Sequence, residues 1–292
     1  MKRRLTAFIL VIATALSVAG AAHADFRHAR MGARPKALGS AFVSLADDAN
    51  AAYWNPAGLM HAPDSSLMLT RSWLYGVSDL QNDYVAATMP GWKGFRFGAS
   101  WVRLGIENIY HEDTLNFSVA RGVSFLEGLS LGVTGKLFLL AAPGYEQYND
   151  PNYNGGDHDY SFDVGAHYDS GQAWSLGAVL YNVTAPTLQL LDSTSAPDPV
   201  YREWAAGGSY LFRETLLVTA DLRNRDGRVE DIILHGGAEI WFYDALVLRS
   251  GLDKGLVTMG VGLQDRHWEA DFSLETNKKL GNVYMLSFTL RK

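Results

Sequence analysis

The stretch ALGSAFVSLADDANAAYWNPAGL runs from Ala37 to Leu59 and lies directly ahead of a long series of short amphipathic strands. Within it, Asn55 is a good helix N-cap and Pro56 is a residue type favoured at the first helical position. This pair therefore predicts the start of a short helix. Asp47 and Asp48 precede it. The strands that follow decide where such a segment can pack.

From Ser66 onward the chain alternates apolar residues with small or polar ones. About fourteen segments of roughly ten residues keep this period of two, which is typical of the strands of a membrane barrel. The predicted strands are 66–75, 82–89, 94–104, 113–121, 128–140, 159–168, 173–182, 203–212, 215–223, 230–241, 246–252, 256–264, 267–275 and 283–291. An even number of strands places both ends of the barrel on the same side.

The predicted connections fall into two classes. Those after even-numbered strands are brief, such as the four residues 90–93 and the two residues 213–214. The long connections, 141–158 and 183–202, both follow odd-numbered strands. Short periplasmic turns and longer extracellular loops are the arrangement of outer-membrane barrels. We therefore expect the long loops to face the cell exterior.

The predicted strands have one apolar and one polar face. In 267–275, Trp268 and Phe272 fall on one face, whereas Glu269 and Asp271 fall on the other. The first face suits lipid and the second an enclosed lumen. Strand glycines concentrate on the inward register, where glycine marks a bend or a close approach of another backbone. They are Gly98, Gly132, Gly165, Gly177, Gly207, Gly260 and Gly262.

Composition and charge exclude several classes of function. The chain carries a net charge of −6 and no cysteine, which argues against a nucleic-acid partner and excludes disulfides and thiolate sites. No H-E-x-x-H sequence occurs. The inward charges Glu239, Asp221, Asp253, Glu269 and Asp271 are interpreted as the lining of a hydrated lumen. We expect no enzyme activity, no cofactor and no metal centre.

The N-terminus has the features of a secretory signal peptide over residues 1–24. Lys2, Arg3 and Arg4 form a basic start, an apolar run follows, and Ala22-His23-Ala24 fits a cleavage site. The predicted domains are thus a signal peptide at 1–24, an N-terminal hatch at 25–65 and a barrel at 66–292. Because about eight strands are the most that side chains alone can fill, a barrel this wide needs a plug, and the hatch is the candidate.

The motif Trp54-Asn55-Pro56-Ala57-Gly58-Leu59, preceded by Asp47-Asp48-Ala49-Asn50, resembles the hatch signature of the FadL-like outer-membrane transport barrels. It resembles the PorV/PorQ-type branch of that superfamily still more closely. The resemblance covers about twenty residues in sequence and is architectural elsewhere. It implies candidate hatch and ligand-binding residues, which are Asp47, Asp48, Tyr53, Trp54, Asn55, Pro56 and Ala57.

Three further features have two interpretations each. Asp47 and Asp48 either cap a solvated helix or fix the hatch through ion pairs with the lumen cations Arg96, Lys136, Arg223 and Arg249. In the fourth outer loop, Leu188, Leu190 and Leu191 either form the ligand entrance that the FadL resemblance implies or fold over the rim. In the third, the oxygen-bearing side chains are either an ordinary surface loop, which we favour, or calcium ligands. They are Asp150, Asn152, Asn154, Asp157 and Asp159.

The sequence therefore predicts an all-β transmembrane antiparallel barrel with an internal hatch, exported to the bacterial outer membrane, in contact with its lipid and monomeric. Two functions remain open. One is passive passage of small hydrophobic molecules across the outer membrane. The other, implied by the PorV/PorQ resemblance, is a non-transporting barrel that binds secreted cargo or partner proteins, as in type IX secretion. A purely structural role in the membrane is the remaining third possibility.

Overall fold

The computed structural model describes residues 30–153, 155–192, 197–242 and 245–292. The predicted signal peptide and the first five residues of the predicted hatch lie outside these ranges. Among the described residues, no helix is both long and apolar enough to cross a membrane.

In this part of the chain, fourteen strands pair consecutively into one closed antiparallel barrel, as the period-two pattern predicts. The strands are β1 (Ser66–Leu74), β2 (Leu80–Trp92), β3 (Phe95–Ile106), β4 (Tyr110–Gly122), β5 (Leu129–Ala141), β6 (Asp157–Asp169), β7 (Trp174–Tyr181), β8 (Glu203–Phe212), β9 (Leu216–Arg225), β10 (Arg228–Phe242), β11 (Leu246–Asp253), β12 (Leu256–Gln264), β13 (Trp268–Glu275) and β14 (Val283–Arg291). The last strand pairs with the first, from Ser66 opposite Arg291 to Leu74 opposite Val283, and this pairing closes the sheet.

The two faces of each strand differ in burial as the alternation predicts. Along β1, burial alternates at every residue from Ser66 to Leu74. On β13, Glu269, Asp271, Ser273 and Glu275 are buried, whereas Trp268 and Phe272 are 37% and 39% exposed. The buried face of each strand points into the lumen, and the exposed face forms an apolar outer belt.

The connections differ in length between the two ends of the barrel. One end carries tight turns, including the three residues between β8 and β9. The other end carries the two long loops. The first contains a short 3₁₀ helix, Pro143–Tyr148, and the second contains a two-residue ladder that pairs Thr187–Leu188 with Asp198–Pro199. We call this second end the loop end.

Residues 30–65, here called the N-terminal segment, pack against the inward faces of strands from both halves of the barrel. The segment contains α1 (Ala33–Ala37), α2 (Ala51–Trp54) and a 3₁₀ helix, η1 (Pro56–Met60). Helix α1 contacts β11 to β14, whereas η1 contacts β3 to β6. The apolar residues from Met31 to Leu59 are almost completely buried. The N-terminal segment therefore occupies the space that the barrel encloses below the loop end.

The inward glycines provide the space for this packing. A Cβ atom added to Gly132 would lie 2.5 Å from the backbone nitrogen of Ala57, and one added to Gly177 would lie 2.2 Å from the carbonyl oxygen of Val43. Gly98, Gly165 and Gly260 face the segment in the same way. Gly207 and Gly262, predicted for the same role, instead face the side chains of Asp221 and of Asp271 and Arg249.

Two glycines that the sequence did not single out lie against the backbone that follows helix α1. A Cβ on Gly237 would lie 2.4 Å from the carbonyl oxygen of Leu38, and one on Gly251 would lie 2.4 Å from the nitrogen of Gly39. Both glycines follow the inward register of their strands, so strand parity was the signal that could have identified them.

The interpretation of the inward carboxylates as the lining of a hydrated lumen is wrong. Glu239, Asp221, Asp253 and Asp271 are each at most 3% exposed, and Glu269 is 8% exposed. They are covered because the N-terminal segment lies against them. At this degree of burial a carboxylate needs a cation or hydrogen-bond donors, and the segment supplies several of these.

Candidate functional site

A cavity of about 410 Å³ opens at the loop end, above the N-terminal segment. Its walls come from β3, β4, β5 and β7 and from the second long loop. The volume is within the range that small-molecule sites occupy. The apolar and aromatic lining residues are Tyr53, Leu104, Tyr110, Phe138, Leu139, Leu140, Tyr181, Leu188, Pro199, Val200 and Tyr201.

The floor of the cavity is aromatic and is joined to the N-terminal segment. Tyr53 of α2 lies there beside Tyr181 of β7, whose hydroxyl donates a 2.6 Å hydrogen bond to the carbonyl oxygen of Trp54. The Tyr53 ring also contacts the ring of Tyr84, with centroids 5.9 Å apart. A shift of the segment would therefore change the shape of the floor.

Two cations flank the Tyr181 ring. The Nζ atom of Lys136 lies 5.5 Å from the ring centroid, and the guanidinium carbon of Arg223 lies 4.5 Å from it. Lys136 is paired with Asp163 at 2.8 Å, and Arg223 with Glu203 at 2.7 Å. Both carboxylates are buried, so the floor combines aromatic rings with charges that are already compensated.

The motif residues hold the N-terminal segment in place. The side chain of Asn55 accepts a hydrogen bond from the nitrogen of Ala57 and so caps η1, with Pro56 at its first position, as predicted. Its amide nitrogen also donates to the carbonyl oxygens of Val43 at 2.9 Å and of Ala166 on β6 at 3.1 Å. Asn55 therefore joins two parts of the segment to the wall.

Of the motif residues, only Tyr53 lines the described cavity. Trp54 is buried beneath it, and its indole nitrogen donates to the carbonyl oxygen of Met31 at 2.9 Å. Pro56 and Ala57 lie against Gly132, toward the opposite end of the lumen. A direct ligand-binding role for Trp54, Asn55, Pro56 and Ala57 stays a prediction.

Asp47 and Asp48 do form ion pairs, but the predicted partners on the barrel wall are wrong. Both carboxylates contact Arg34 of the same segment, at 2.5 and 3.2 Å. The four lumen cations are instead paired with other acids. Arg96 contacts Asp64, Lys136 contacts Asp163, Arg223 contacts Glu203, and Arg249 contacts Glu239, Asp271 and Glu269. These cations therefore pair with carboxylates on nearby strands or, for Arg96, with a carboxylate of the segment.

The charge pattern between segment and barrel is the reverse of the predicted one. Except at Asp64, which contacts Arg96 of β3, the segment supplies cations and the wall supplies carboxylates. Arg30 and Lys36 contact Asp253 at 2.9 and 3.1 Å, and Arg34 contacts Glu239 at 2.9 Å. These three cations were not among the candidates predicted from the sequence, although all of them lie within the predicted hatch. The nearby carboxylates raise the pKa of the Lys36 ammonium despite its burial.

The three predicted entry leucines divide between two environments. Leu188 lines the cavity, whereas Leu190 and Leu191 do not. All three are half-buried rather than exposed, and Leu191 forms a bridge to Tyr153 of the other long loop. The two long loops therefore contact each other above the rim.

The predicted calcium alternative gains no support from the described part of the loop. Asp150 accepts hydrogen bonds from the Tyr145 hydroxyl and from the nitrogen of Asn152, both at 2.9 Å, and these bonds lower its pKa. Within the described ranges no group of three or more histidine, aspartate or glutamate side chains is placed to hold a metal ion. Asn154 lies outside those ranges.

Several wall residues of the cavity were not singled out from the sequence. Phe138 shares the inward register of Lys136 and Gly132 on β5, so strand parity could have placed it in the lumen. Tyr181 and Tyr201 lie at either end of the second long loop. Nothing local in the sequence indicates that this loop covers the same cavity.

The fold is shared with solved transport barrels. No protein-family model and no curated protein matches the chain. The toluene transporter TbuX of Ralstonia pickettii superposes with a TM-score of 0.59 at 14% identity, over 89% of this chain and 98% of that one. A FadL homologue of Pseudomonas aeruginosa gives 0.56 at 14% identity, over 86% and 95%.

The toluene transporter TodX of Pseudomonas putida gives a TM-score of 0.53 at 13% identity, over 87% of this chain and 96% of that one. These three proteins are transporters or their homologues, and at this level of identity the likeness is one of fold. The chain is therefore a closed fourteen-stranded antiparallel barrel, counted over its described residues, with the fold of the FadL-type hydrocarbon transporters.

Proposed function

We propose that this protein lets small hydrophobic molecules pass across the bacterial outer membrane without an energy source. The observation that carries the proposal is the 410 Å³ cavity at the loop end, with mostly apolar walls and Tyr53 of the N-terminal segment at its floor. A pocket closed below by a movable segment can bind a ligand and then release it when the segment shifts.

The outer surface supports a membrane location. Large apolar side chains project outward from strand after strand, among them Leu69, Phe117, Phe272, Leu286 and Phe288, each at least 39% exposed. An apolar belt of this kind would be a liability in water and is the surface that lipid requires. With the predicted signal peptide, this belt supports insertion as an outer-membrane protein.

In this proposal the N-terminal segment is the hatch. Its attachment is polar at many points, through Arg30, Arg34 and Lys36 and through the cap residue Asn55. Polar contacts can be exchanged for water when the segment moves, whereas its buried apolar residues keep it inside the lumen. The ligand would enter beside Leu188, contact Tyr53 and leave after the hatch rearranges.

The proposal is tested by filling the cavity. Thr114 lines it, and Thr114→Trp adds a large side chain to the wall. Phe117→Trp is the matched control, because Phe117 lies on the same strand but is 66% exposed on the outer face. Equilibrium dialysis of radiolabelled octanol against protein in lipid nanodiscs, with empty nanodiscs as the blank, measures binding.

We expect saturable octanol binding by the unmodified protein and by Phe117→Trp, and loss of that binding in Thr114→Trp. Cells that carry the first two proteins should also accumulate the probe faster than cells that carry Thr114→Trp. Binding that is unsaturable, or equal in all three proteins, would contradict the proposal.

The alternative is an interaction barrel of the PorV/PorQ type that binds secreted cargo or partner proteins. The motif between Ala37 and Leu59 motivates it, through its resemblance to the hatch signature of that branch. Affinity purification from cross-linked cells of the source organism distinguishes the two functions. A stoichiometric secreted protein recovered with a barrel that binds no octanol would favour this alternative.

A further inference from the structure

We propose that the cavity discriminates its ligands by charge and admits hydrophobic molecules with a neutral or cationic end in preference to carboxylates. The inference rests on the proposed ligand-binding function and names the class of ligand. It follows from two uncompensated acids at the mouth of the cavity, Glu112 and Asp198.

These two carboxylates come from different elements. Glu112 lies on β4 in the inward register, and Asp198 lies in the short ladder of the second long loop. Both line the cavity and both are exposed, which places them at its mouth rather than at its floor. The hydroxyl of Tyr110 donates a hydrogen bond to Glu112, and Asp198 is near enough to act electrostatically on that hydroxyl.

Neither acid has a cationic partner within the described part of the chain. Over residues 30–153, 155–192, 197–242 and 245–292, no lysine, arginine or histidine forms an ion pair with Glu112 or Asp198. Arg103 is paired with Asp113 at 2.8 Å, and Arg202 donates to the carbonyl oxygen of Val183 at 2.9 Å. The mouth therefore carries two negative charges that the described protein leaves uncompensated.

The two cations of the cavity do not reverse this balance. Lys136 and Arg223 lie at the floor, and each contacts a buried carboxylate. Asp163 is 1% exposed and Glu203 is 2% exposed, so both charges are held close to their partners. A ligand at the floor meets neutral pairs, which can still donate a hydrogen bond to an alcohol oxygen or contact an aromatic face. An anion that enters past Glu112 and Asp198 is repelled by both of them.

The size of the effect follows from Coulomb's law. A ligand charge bound within about ten ångströms of two exposed carboxylates is attracted or repelled by about 0.7 kcal/mol, so amine and carboxylate differ by about 1.4 kcal/mol, which is about tenfold in affinity. Because the mouth is exposed, added salt should screen the difference.

The test compares three probes of equal chain length, octylamine, octanol and octanoate. Equilibrium dialysis near neutral pH and at low salt, against protein in uncharged nanodiscs and with empty nanodiscs as the blank, gives three dissociation constants. We expect octylamine to bind about tenfold more tightly than octanoate, with octanol between or equal to the amine. In the double variant Glu112→Gln, Asp198→Asn the amine-to-acid ratio should fall to within about twofold.

A matched control removes an acid that does not line the cavity. Glu146 lies in the 3₁₀ helix of the first long loop, and Glu146→Gln should keep the full discrimination between amine and acid. If it lowers the ratio as much as the double variant does, the discrimination belongs to the overall charge of the loop end and the inference is wrong.

The outcomes separate this inference from the proposed function. Saturable binding of octanol with equal affinities for octylamine and octanoate would overturn the charge selection and leave the ligand site intact. Tighter binding of octanoate would overturn it as well. Absence of binding by all three probes would contradict the proposed function itself.

Discussion

Asp48 is the residue whose charge opposes the packing around it. Its side chain is 15% exposed, and burial raises the pKa of its carboxyl from 3.8 to about 6 although Arg34 opposes the change. The folded state thus holds the proton more tightly than the unfolded state. The stabilisation from protonated Asp48 is complete below about pH 4 and is lost as the pH rises through about 6.

Asp48→Asn should therefore stabilise the protein at pH values above that range, by up to about 2–3 kcal/mol, and have little effect below about pH 4. Urea unfolding in detergent micelles at both pH values measures the difference. Asp79→Asn, in an exposed loop, serves as the control. A loss of stability near neutral pH would mean that the ion pair with Arg34 outweighs the cost of burial.

Gly237 is required by the backbone that lies against it. An alanine there would place its Cβ 2.4 Å from the carbonyl oxygen of Leu38, so the N-terminal segment would have to move. Its neighbour Gly236 faces outward, where the nearest atom to an added Cβ is 3.7 Å away. We expect Gly237→Ala to destabilise the protein by about 1–3 kcal/mol and Gly236→Ala to have a small effect.

Limited proteolysis provides a second measurement of the same pair. In Gly237→Ala the residues around Leu38 should become accessible to cleavage, whereas in Gly236→Ala they should stay protected. Equal protection in the two variants would show that the segment does not depend on this contact.

Strand β13 tests the assignment of the two faces. Phe272 is 39% exposed on the outer face of this strand. An arginine on a lipid-facing position near mid-membrane costs about 2–4 kcal/mol, so Phe272→Arg should impair assembly into the membrane. Phe272→Leu should assemble normally, because it keeps an apolar surface. Heat-modified gel mobility after refolding into vesicles reports the folded fraction, and equal fractions would refute the assignment.

The connections between strands test the orientation. A peptide tag inserted at Asn149 lies in the first long loop, and one inserted at Gly171 lies in the turn between β6 and β7 at the other end. If the loop end faces the exterior, antibodies should label the first tag on intact cells and the second only after the outer membrane is permeabilised. Labelling in the opposite order would reverse the topology and would place the cavity on the periplasmic side.

In the proposed function the molecule as a whole depends on the N-terminal segment to close its lumen. A barrel of fourteen strands is too wide to be filled by its own side chains, and its described inward face carries glycines where the segment packs. A variant that lacks residues 25–62 but keeps the predicted signal peptide should still form the strand pairs, which all lie after Asp64.

That variant should conduct ions in planar lipid bilayers, whereas the complete protein should stay closed. Far-ultraviolet circular dichroism provides the check that the shortened barrel is folded. A folded but electrically closed variant would show that the lumen is blocked by something other than the N-terminal segment.

The amino-acid sequence by itself determined the strands and their faces. Alternation with a period of two is a local property. The pattern of each strand therefore predicts which of its residues face outward and which face inward, as in β1 and β13. The sequence also determined the cap at Asn55 and the asymmetry of the loops. Strand ends shifted by a few residues; β6, for example, extends to 157–169 rather than 159–168.

Only the tertiary structure decided which inward residues meet. Closure of the sheet brings Tyr53, Phe138, Tyr181 and Asp198 around one cavity, although they are far apart in the chain. It also pairs Arg34 with Asp47, Asp48 and Glu239, and so reverses the predicted charge pattern. The reason is physical: the period of a strand fixes the direction of each side chain, whereas its partner depends on the register of the closed barrel and the path of the segment within it.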